Sequence, residues 1–253
     1  MICIPVMGKT QTAAMKAVEK SAPHCDMIEL RMDLIPKADL SALIDRGREI
    51  SPILKVLVTN RSASQSGKAP PVKEAGNEDS RPSGSTGTVA DGEKKRIALL
   101  KDAVAVGCDY VDCELDTPET LRRELLSGIE ALHHRTGLIV SDHDFKKTPP
   151  LAVLKKRFRS CVEAKADIVK IVTYARHPED NLRILELVAY ARKEGLNIAA
   201  FCMGPHGTAS RILAPLMGSC ISYASLRRGL ESAPGQLTVN EIKDIFYRLH
   251  IKA

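Results

Sequence analysis

Residues 107–119 read Gly-Cys-Asp-Tyr-Val-Asp-Cys-Glu-Leu-Asp-Thr-Pro-Glu. Gly107 follows a helical pattern over 94–106, and a β-rich run covers 110–115. Thr117-Pro118-Glu119 then opens a second helical pattern over 118–133. This unit recurs along the chain. Strand-like runs lie at 2–6, 27–33, 53–59, 110–115, 137–142, 168–174, 197–203 and 220–225, with further helical patterns at 10–22, 150–165, 178–194 and 238–249. His177-Pro178-Glu179 is another helix start, while Gly137 and Gly195, like Gly107, stand just ahead of a strand. Strand starts are 25, 26, 57, 27, 31, 29 and 23 residues apart. Strict alternation implies a parallel sheet with right-handed crossovers, and eight units favour a closed barrel over an open doubly wound sheet. The expected fold is α/β, a (β/α)8 barrel in one domain over residues 1–253.

The long interval has a compositional cause. Within 62–92, 14 of 31 residues are Gly, Ser or Pro, and Ile, Leu, Phe and Tyr are absent. Such a stretch buries too little apolar surface to offset its ordering entropy. It is expected to be a mobile, low-complexity loop inserted after strand 3, within the single domain. Gly8-Lys9-Thr10 looks like the tail of a phosphate-binding loop, but that motif needs a Gly at position 3, which is Cys3.

Composition excludes several classes. The 253 residues carry a net charge of +6, from 37 Lys and Arg against 31 Asp and Glu. The basic residues alternate with acids along helices, as in 178–186, and aromatics make up only 4% of the chain, so a nucleic-acid partner is not expected. An anionic small molecule suits the sign of the charge. No apolar stretch approaches a membrane span and the N-terminus lacks signal-peptide features, so a membrane partner is not expected either. Seven Cys form no Cys-x-x-Cys pair and sit mostly in apolar runs, which points to buried thiols in a reducing cytoplasm.

In a parallel barrel, outward side chains pack on helices and inward ones fill the interior. The run Ile28-Glu29-Leu30-Arg31-Met32-Asp33 therefore points Glu29, Arg31 and Asp33 inward. Val111, Cys113 and Leu115 face out, leaving Asp112 and Glu114 in. The same alternation aims Arg61 and His143 inward, and Lys170 stands alone among Ile168, Val169, Ile171 and Val172. Met203 ends the seventh strand, and Arg211 follows in its loop or first helical turn. Taken singly, a strand His or a rim Arg is most often structural. Inward charges on five strands, mostly near their C-terminal ends, mark a functional cavity, because barrel active sites lie on that face.

The residue types suggest the chemistry. Burial near Arg side chains favours a neutral Lys170 amine, the nucleophile that imine formation requires. His143 is the proton carrier suited to neutral pH, with Glu29 placed to orient it or share its proton. Arg61 and Arg211 offer planar forks for a carboxylate. One His faces this cavity and no ligand cluster appears at helix spacing, so no metal is expected.

These residues resemble the type I 3-dehydroquinate dehydratase family. The likeness is carried by Met7-Gly-Lys-Thr10, Glu29-Leu-Arg31-Met-Asp33, Arg61-Ser-Ala63, Asp109-Tyr-Val-Asp-Cys-Glu114, Ser141-Asp-His-Asp-Phe145, the Lys170 strand, Met203 with Gly207 and Ser210-Arg211, and Ser232-Ala-Pro-Gly-Gln236. The resemblance implies a shikimate-pathway lyase acting on 3-dehydroquinate through a Lys170 Schiff base, with His143 as acid and base and no cofactor. It further implies that Glu29 and Arg31 hold substrate hydroxyls and the His, and that Arg211 with Arg61 clamps the carboxylate. Met203 would touch substrate, and Ser232 and Gln236 would lie on a loop closing over it. A homodimer is also implied. Three positions depart from the family pattern. Pro5 replaces a common substrate-touching Ser, Gln65 a common loop Glu, and Tyr223 an apolar aromatic. With Gln65 uncharged, any acid role there would pass to Glu74 or Glu93. A Schiff-base aldolase on the same barrel is an alternative, although Ser222-Tyr-Ala-Ser225 is not a Gly-rich phosphate loop. An inactive barrel serving as a binding module is another, and the presence of both Lys170 and His143 argues against it. No dinucleotide fingerprint accompanies the barrel, which excludes a fused shikimate dehydrogenase within this chain.

Overall fold

In a computed structural model, which describes residues 1–35, 37–62, 89–132 and 136–250, three of the helices begin where polar side chains take open amides. Thr10 Oγ1 accepts from Ala13 N at 3.2 Å and Asp39 Oδ1 from Ala42 N at 3.0 Å. Thr238 and Glu241 bond reciprocally across the last helix start. The first half of the chain runs β1 (Ile2–Val6), α1 (Gln11–Ser21), β2 (Met27–Arg31), α2 (Leu40–Ile50), β3 (Lys55–Thr59), α3 (Val89–Ala105), β4 (Tyr110–Glu114) and α4 (Glu119–Glu130). The second half runs β5 (Gly137–Asp144), α5 (Leu151–Glu163), β6 (Ile168–Tyr174), α6 (Asp180–Lys193), β7 (Ile198–Met203), α7 (Thr208–Met217), β8 (Ser222–Tyr223) and α8 (Val239–Arg248).

Every strand pair is parallel, in the order β7-β6-β5-β4-β3-β2-β1-β8. At the seam between β7 and β8, the Cys220 amide donates to the Ile198 carbonyl at 2.8 Å, which draws the ends together into a nearly closed barrel. The expected (β/α)8 architecture is the observed one.

Some boundaries move for identifiable reasons. Helix α3 starts at Val89, with Asp91 in its first turn where the helix dipole favours an acid, so the end of the expected 62–92 loop is helical. Residues 63–88 of that loop, including Gln65 and Glu74, lie outside the described residues. Helix α6 starts two residues after Pro178, because Asp180 Oδ2 accepts the amides of Arg176 and His177 at 2.8 and 3.2 Å. The last strand is shorter than expected, since beyond Tyr223 the chain turns to pair Ser225 with Thr238.

The alternation of side chains divides the interior in two. Ile28, Leu30, Val56, Val111 and Val169 face out and pack with Leu43, Leu100, Leu125, Phe158 and Leu187 of the helices. Met27, Leu57, Ile139 and Ile168 face in and fill the floor of the barrel. Two residues further along β2–β6 the inward positions become Glu29, Thr59, Asp112, Ser141 and Lys170, all buried. The sequence pattern thus puts an apolar plug under a polar layer. Helix α8 covers Ile2, Ile4 and Ala224 with Val239, Ile242 and Phe246. All seven cysteines are free, and burial raises thiols such as Cys25 and Cys108 to about 12. Among the described residues no helix is long and apolar enough to cross a membrane.

The approach of α7 to β7 is unusually close. A Cβ on Gly207 would lie 2.6 Å from the Cys202 carbonyl oxygen. Ser210 Oγ accepts from Cys202 N and donates to the Gly207 carbonyl, both at 2.8 Å. Gly207→Ala should therefore push α7 outward and lower stability by about 1–3 kcal/mol, read as a lower urea midpoint. A wild-type midpoint would show that α7 is free to shift.

Candidate active site

Asp112 on β4 is the centre of the polar layer. Its carboxylate receives both ends of the Arg61 guanidinium at 3.0 and 2.8 Å, the Ser141 hydroxyl at 2.6 Å and Lys170 Nζ at 2.9 Å. Burial alone would raise its pKa, but Arg61 and Lys170 hold it well below the usual carboxylate range. Lys170 Nζ also lies 3.5 Å from Glu29 Oε1, which accepts from Thr59 Oγ1 at 2.7 Å. The expectation of Arg neighbours around Lys170 is corrected here. Its nearest charged partners are carboxylates, because the inward phase of β2 and β4 aims Glu29 and Asp112 at it.

Arg61 was expected at a substrate carboxylate, yet its fork is engaged by Asp112, with Ser141 Oγ at 2.7 Å and Glu114 at 3.6 Å. Glu114 continues outward to Arg96 on α3 at 2.7 Å, and Arg96 pairs with Glu93 at 2.7 Å. Burial pushes Glu114 up despite these arginines. Arg31, at the end of β2, is held by Asp33 at 2.9 and 2.7 Å.

His143 follows Ser141 on β5, half-buried and stacked on Phe145, with ring centroids 5.7 Å apart and planes 9° apart. Burial first, then the charges of Arg61 and Lys170, hold the imidazole well below its ordinary pKa, so it is neutral and able to accept a proton.

Arg211 differs from the other inward cations. It sits in the first turn of α7, 3% exposed, with its guanidinium 4.5 Å from the centre of the Phe201 ring. Its Nη2 donates to the Pro234 carbonyl at 3.4 Å, and its buried Nε has no partner among the described residues. Among the described residues no carboxylate pairs with it, and burial pulls its pKa down to about 10. A buried guanidinium without an acid is a site prepared for an anion.

The loop 232–236 closes this side. Gln236 Oε1 accepts from Ser232 N and Oγ at 2.7 and 3.1 Å, while its buried Nε2 has no partner. The Gly204 amide donates to Pro234 at 3.1 Å. Gly235 has φ +77°, and a Cβ there would lie 2.3 Å from the Gly204 carbonyl oxygen, so the loop seats against the end of β7 only with glycine. Met203, buried at the end of β7, belongs to the inner cluster.

Lys170, Glu29, Arg61 and His143 thus share one electrostatic layer, and Arg211, Ser232 and Gln236 lie on its β7–α7 side. In the sequence, strand phase turns Asp112 inward but assigns it no role, and its central position comes from the pairing of β4 with its neighbours. Arg96 carries no signal in the sequence that sets it apart from other helical cations; its burial is seen only in the structure. Among the described residues no group of His, Cys, Asp or Glu is arranged to hold a metal ion.

The family model described as type I 3-dehydroquinase matches residues 2–253. The chain belongs to the type I 3-dehydroquinase family. It is accordingly a lyase of the hydro-lyase class, built on the barrel of the shikimate-pathway dehydratases. A 3-dehydroquinate dehydratase from Methanosarcina acetivorans is 32% identical over 246 residues, covering 96% of this chain and 92% of the relative. One from Desulfotalea psychrophila is 31% identical over 247 residues, covering 98% and 97%. A solved 3-dehydroquinate dehydratase from Geobacillus kaustophilus is 25% identical with a TM-score of 0.78, covering 98% of this chain and 90% of that one. These likenesses disfavour the aldolase and inactive-barrel readings.

The depressed His143 pKa has a signed consequence. Folding favours the neutral imidazole, so the unfolded chain binds the extra proton, and the His143 contribution is lost as pH falls below the ordinary 6.5. His143→Gln should flatten urea-measured stability between about pH 7 and about pH 5 relative to wild type. Parallel curves would show that His143 titrates normally in the folded protein.

Proposed function

We propose that the chain converts 3-dehydroquinate to 3-dehydroshikimate by eliminating water through an imine on Lys170. The observation that carries this reading is Arg211, a buried guanidinium with no carboxylate partner among the described residues, on the same barrel as the buried amine of Lys170. A substrate bearing both a carboxylate and a ketone answers both groups.

In this reading the Lys170 amine, once its ammonium proton has passed to a neighbouring base, adds to the C3 ketone, and loss of water gives the iminium. Neutral His143 takes a proton from C2, the electrons moving into the C3–nitrogen system as an enamine. The C1 hydroxyl then leaves with the proton that His143 returns, and water hydrolyses the conjugated iminium to release product and amine. The protein's own nitrogen serves as the electron sink, so this route calls on no cofactor or metal. Glu29 and Asp112 hold Lys170 in place before reaction and stand beside the positive nitrogen afterwards. Arg31 lines the substrate side of β2. Ser232, Gln236 and Met203 close the cavity, the unpaired Gln236 amide serving as a donor to the ligand, and the loop limits water at the imine. Arg61 acts by fixing Asp112, with Arg211 as the main carboxylate ligand.

We place this activity in one catalytic domain over residues 1–253, with 62–92 as a loop within it on the basis of its composition. The free buried thiols suit the cytoplasm, and the family resemblance supports a homodimer without nucleic-acid or membrane partners.

Borohydride added during turnover of 3-dehydroquinate should leave a reduced adduct on the Lys170 peptide, while the enone product absorbs in the ultraviolet. Lys170→Met should abolish both signals, and product formation by that variant would refute the imine. Arg211→Met should raise KM by roughly 10- to 100-fold, since charged hydrogen bonds are lost, without lowering thermal stability. A fall in stability with unchanged KM would make Arg211 structural.

A further inference from the structure

Tyr223 ends β8 inside the barrel, 5% exposed, and its hydroxyl has no hydrogen-bond partner. The face of its ring lies 4.5 Å from Lys170 Nζ. It packs at a tilt on Phe201, with centroids 5.6 Å and planes 48° apart, and Phe201 in turn lies under the Arg211 guanidinium. The phenol therefore stands between the amine and the guanidinium that the proposed reaction uses. The cation–π contact with Lys170 and the packing on Phe201 need only the ring. They leave the hydroxyl unexplained, because an apolar aromatic would pack as well without burying an unmatched polar atom. Burial first, then the charge of Glu29 and, more weakly, that of Asp112, keeps the phenol protonated. Glu29 already bonds Thr59 and Lys170, and Asp112 already bonds Arg61, Ser141 and Lys170. A protonated, buried hydroxyl on the ring that packs against Lys170 is a donor awaiting an acceptor.

We infer that Tyr223 is a further substrate-contacting residue, whose hydroxyl donates a hydrogen bond to a substrate oxygen close to the carbon that Lys170 attacks. This rests on the dehydratase reading above and adds a determinant of specificity to it. The class of ligand selected is a carboxylated cyclic ketone that keeps a hydroxyl near the ketone, in preference to a deoxygenated analogue.

Tyr223→Phe removes the hydroxyl and keeps the ring. Its kcat/KM for 3-dehydroquinate should fall about tenfold, the loss of one hydrogen bond to bound substrate. The melting temperature of the free variant should stay level or rise, because an unmatched buried group is gone. Borohydride trapping at saturating 3-dehydroquinate should still label Lys170 in the variant. Wild-type kcat/KM in Tyr223→Phe would overturn the assignment, as would a fall in kcat/KM accompanied by a lower melting temperature, which would mark a structural hydroxyl. Failure of wild-type protein to form the adduct would overturn the imine reading itself, and this assignment with it.

Discussion

An ammonium and several carboxylates taken out of water inside a barrel are tolerated only when each finds a partner of opposite charge and good geometry. The Lys170–Asp112 pair, at 2.9 Å, meets that condition, and much of the interior is arranged to keep it so. Arg61 supplies the second cation, gripping Asp112 with both ends of its fork, and Ser141 fills a remaining acceptor position. Removal of one partner from such a buried set typically costs about 3–5 kcal/mol. The apolar plug beneath, with Met27, Leu57, Ile139 and Ile168, keeps water from the layer below and so makes the pairing obligatory.

From Asp112 the charges run outward in sequence. Arg61 approaches Glu114, Glu114 meets Arg96, and Arg96 joins Glu93 on the first half of α3. The helix that follows the Ser- and Gly-rich stretch is thereby tied to Asp112 and Lys170 through alternating charges. Arg211 stands outside this chain. It lies on the α7 side, desolvated, with an aromatic face and a peptide carbonyl for company. Among the described residues Lys170, Arg61 and Arg96 each meet a carboxylate, and Arg211 meets none.

Much of the architecture was legible in the chain. Alternation with period 2 on β2 and β4 separated inward charges from outward apolar residues, because a parallel strand covered by helices tolerates charge only on its inner face. The near-constant spacing of strand starts predicted the eight-unit barrel. Boundaries were less legible, as at α6, where Asp180 rather than the preceding Pro178 sets the start through side-chain bonds to two amides. The site was legible as a set of residues and not as a set of pairings. Arg61 and Arg211 looked equivalent in the sequence. The structure gives the first to Asp112 and leaves the second open, a distinction that depends on which elements approach across the barrel.

The sequence by itself determined which side chains face inward and toward the C-terminal ends of the strands, since those properties follow from local phase along each strand. The partners were decided by the tertiary structure. Lys170 and Asp112 are 58 positions apart, and Lys170 and Glu29 are 141 apart. Their meeting depends on barrel closure and on the register between strands, which no local pattern encodes. The unmatched hydroxyl of Tyr223 belongs to the same category. Its residue type was visible at once, and its burial beside Lys170 without a partner emerged only when β8 closed against β1.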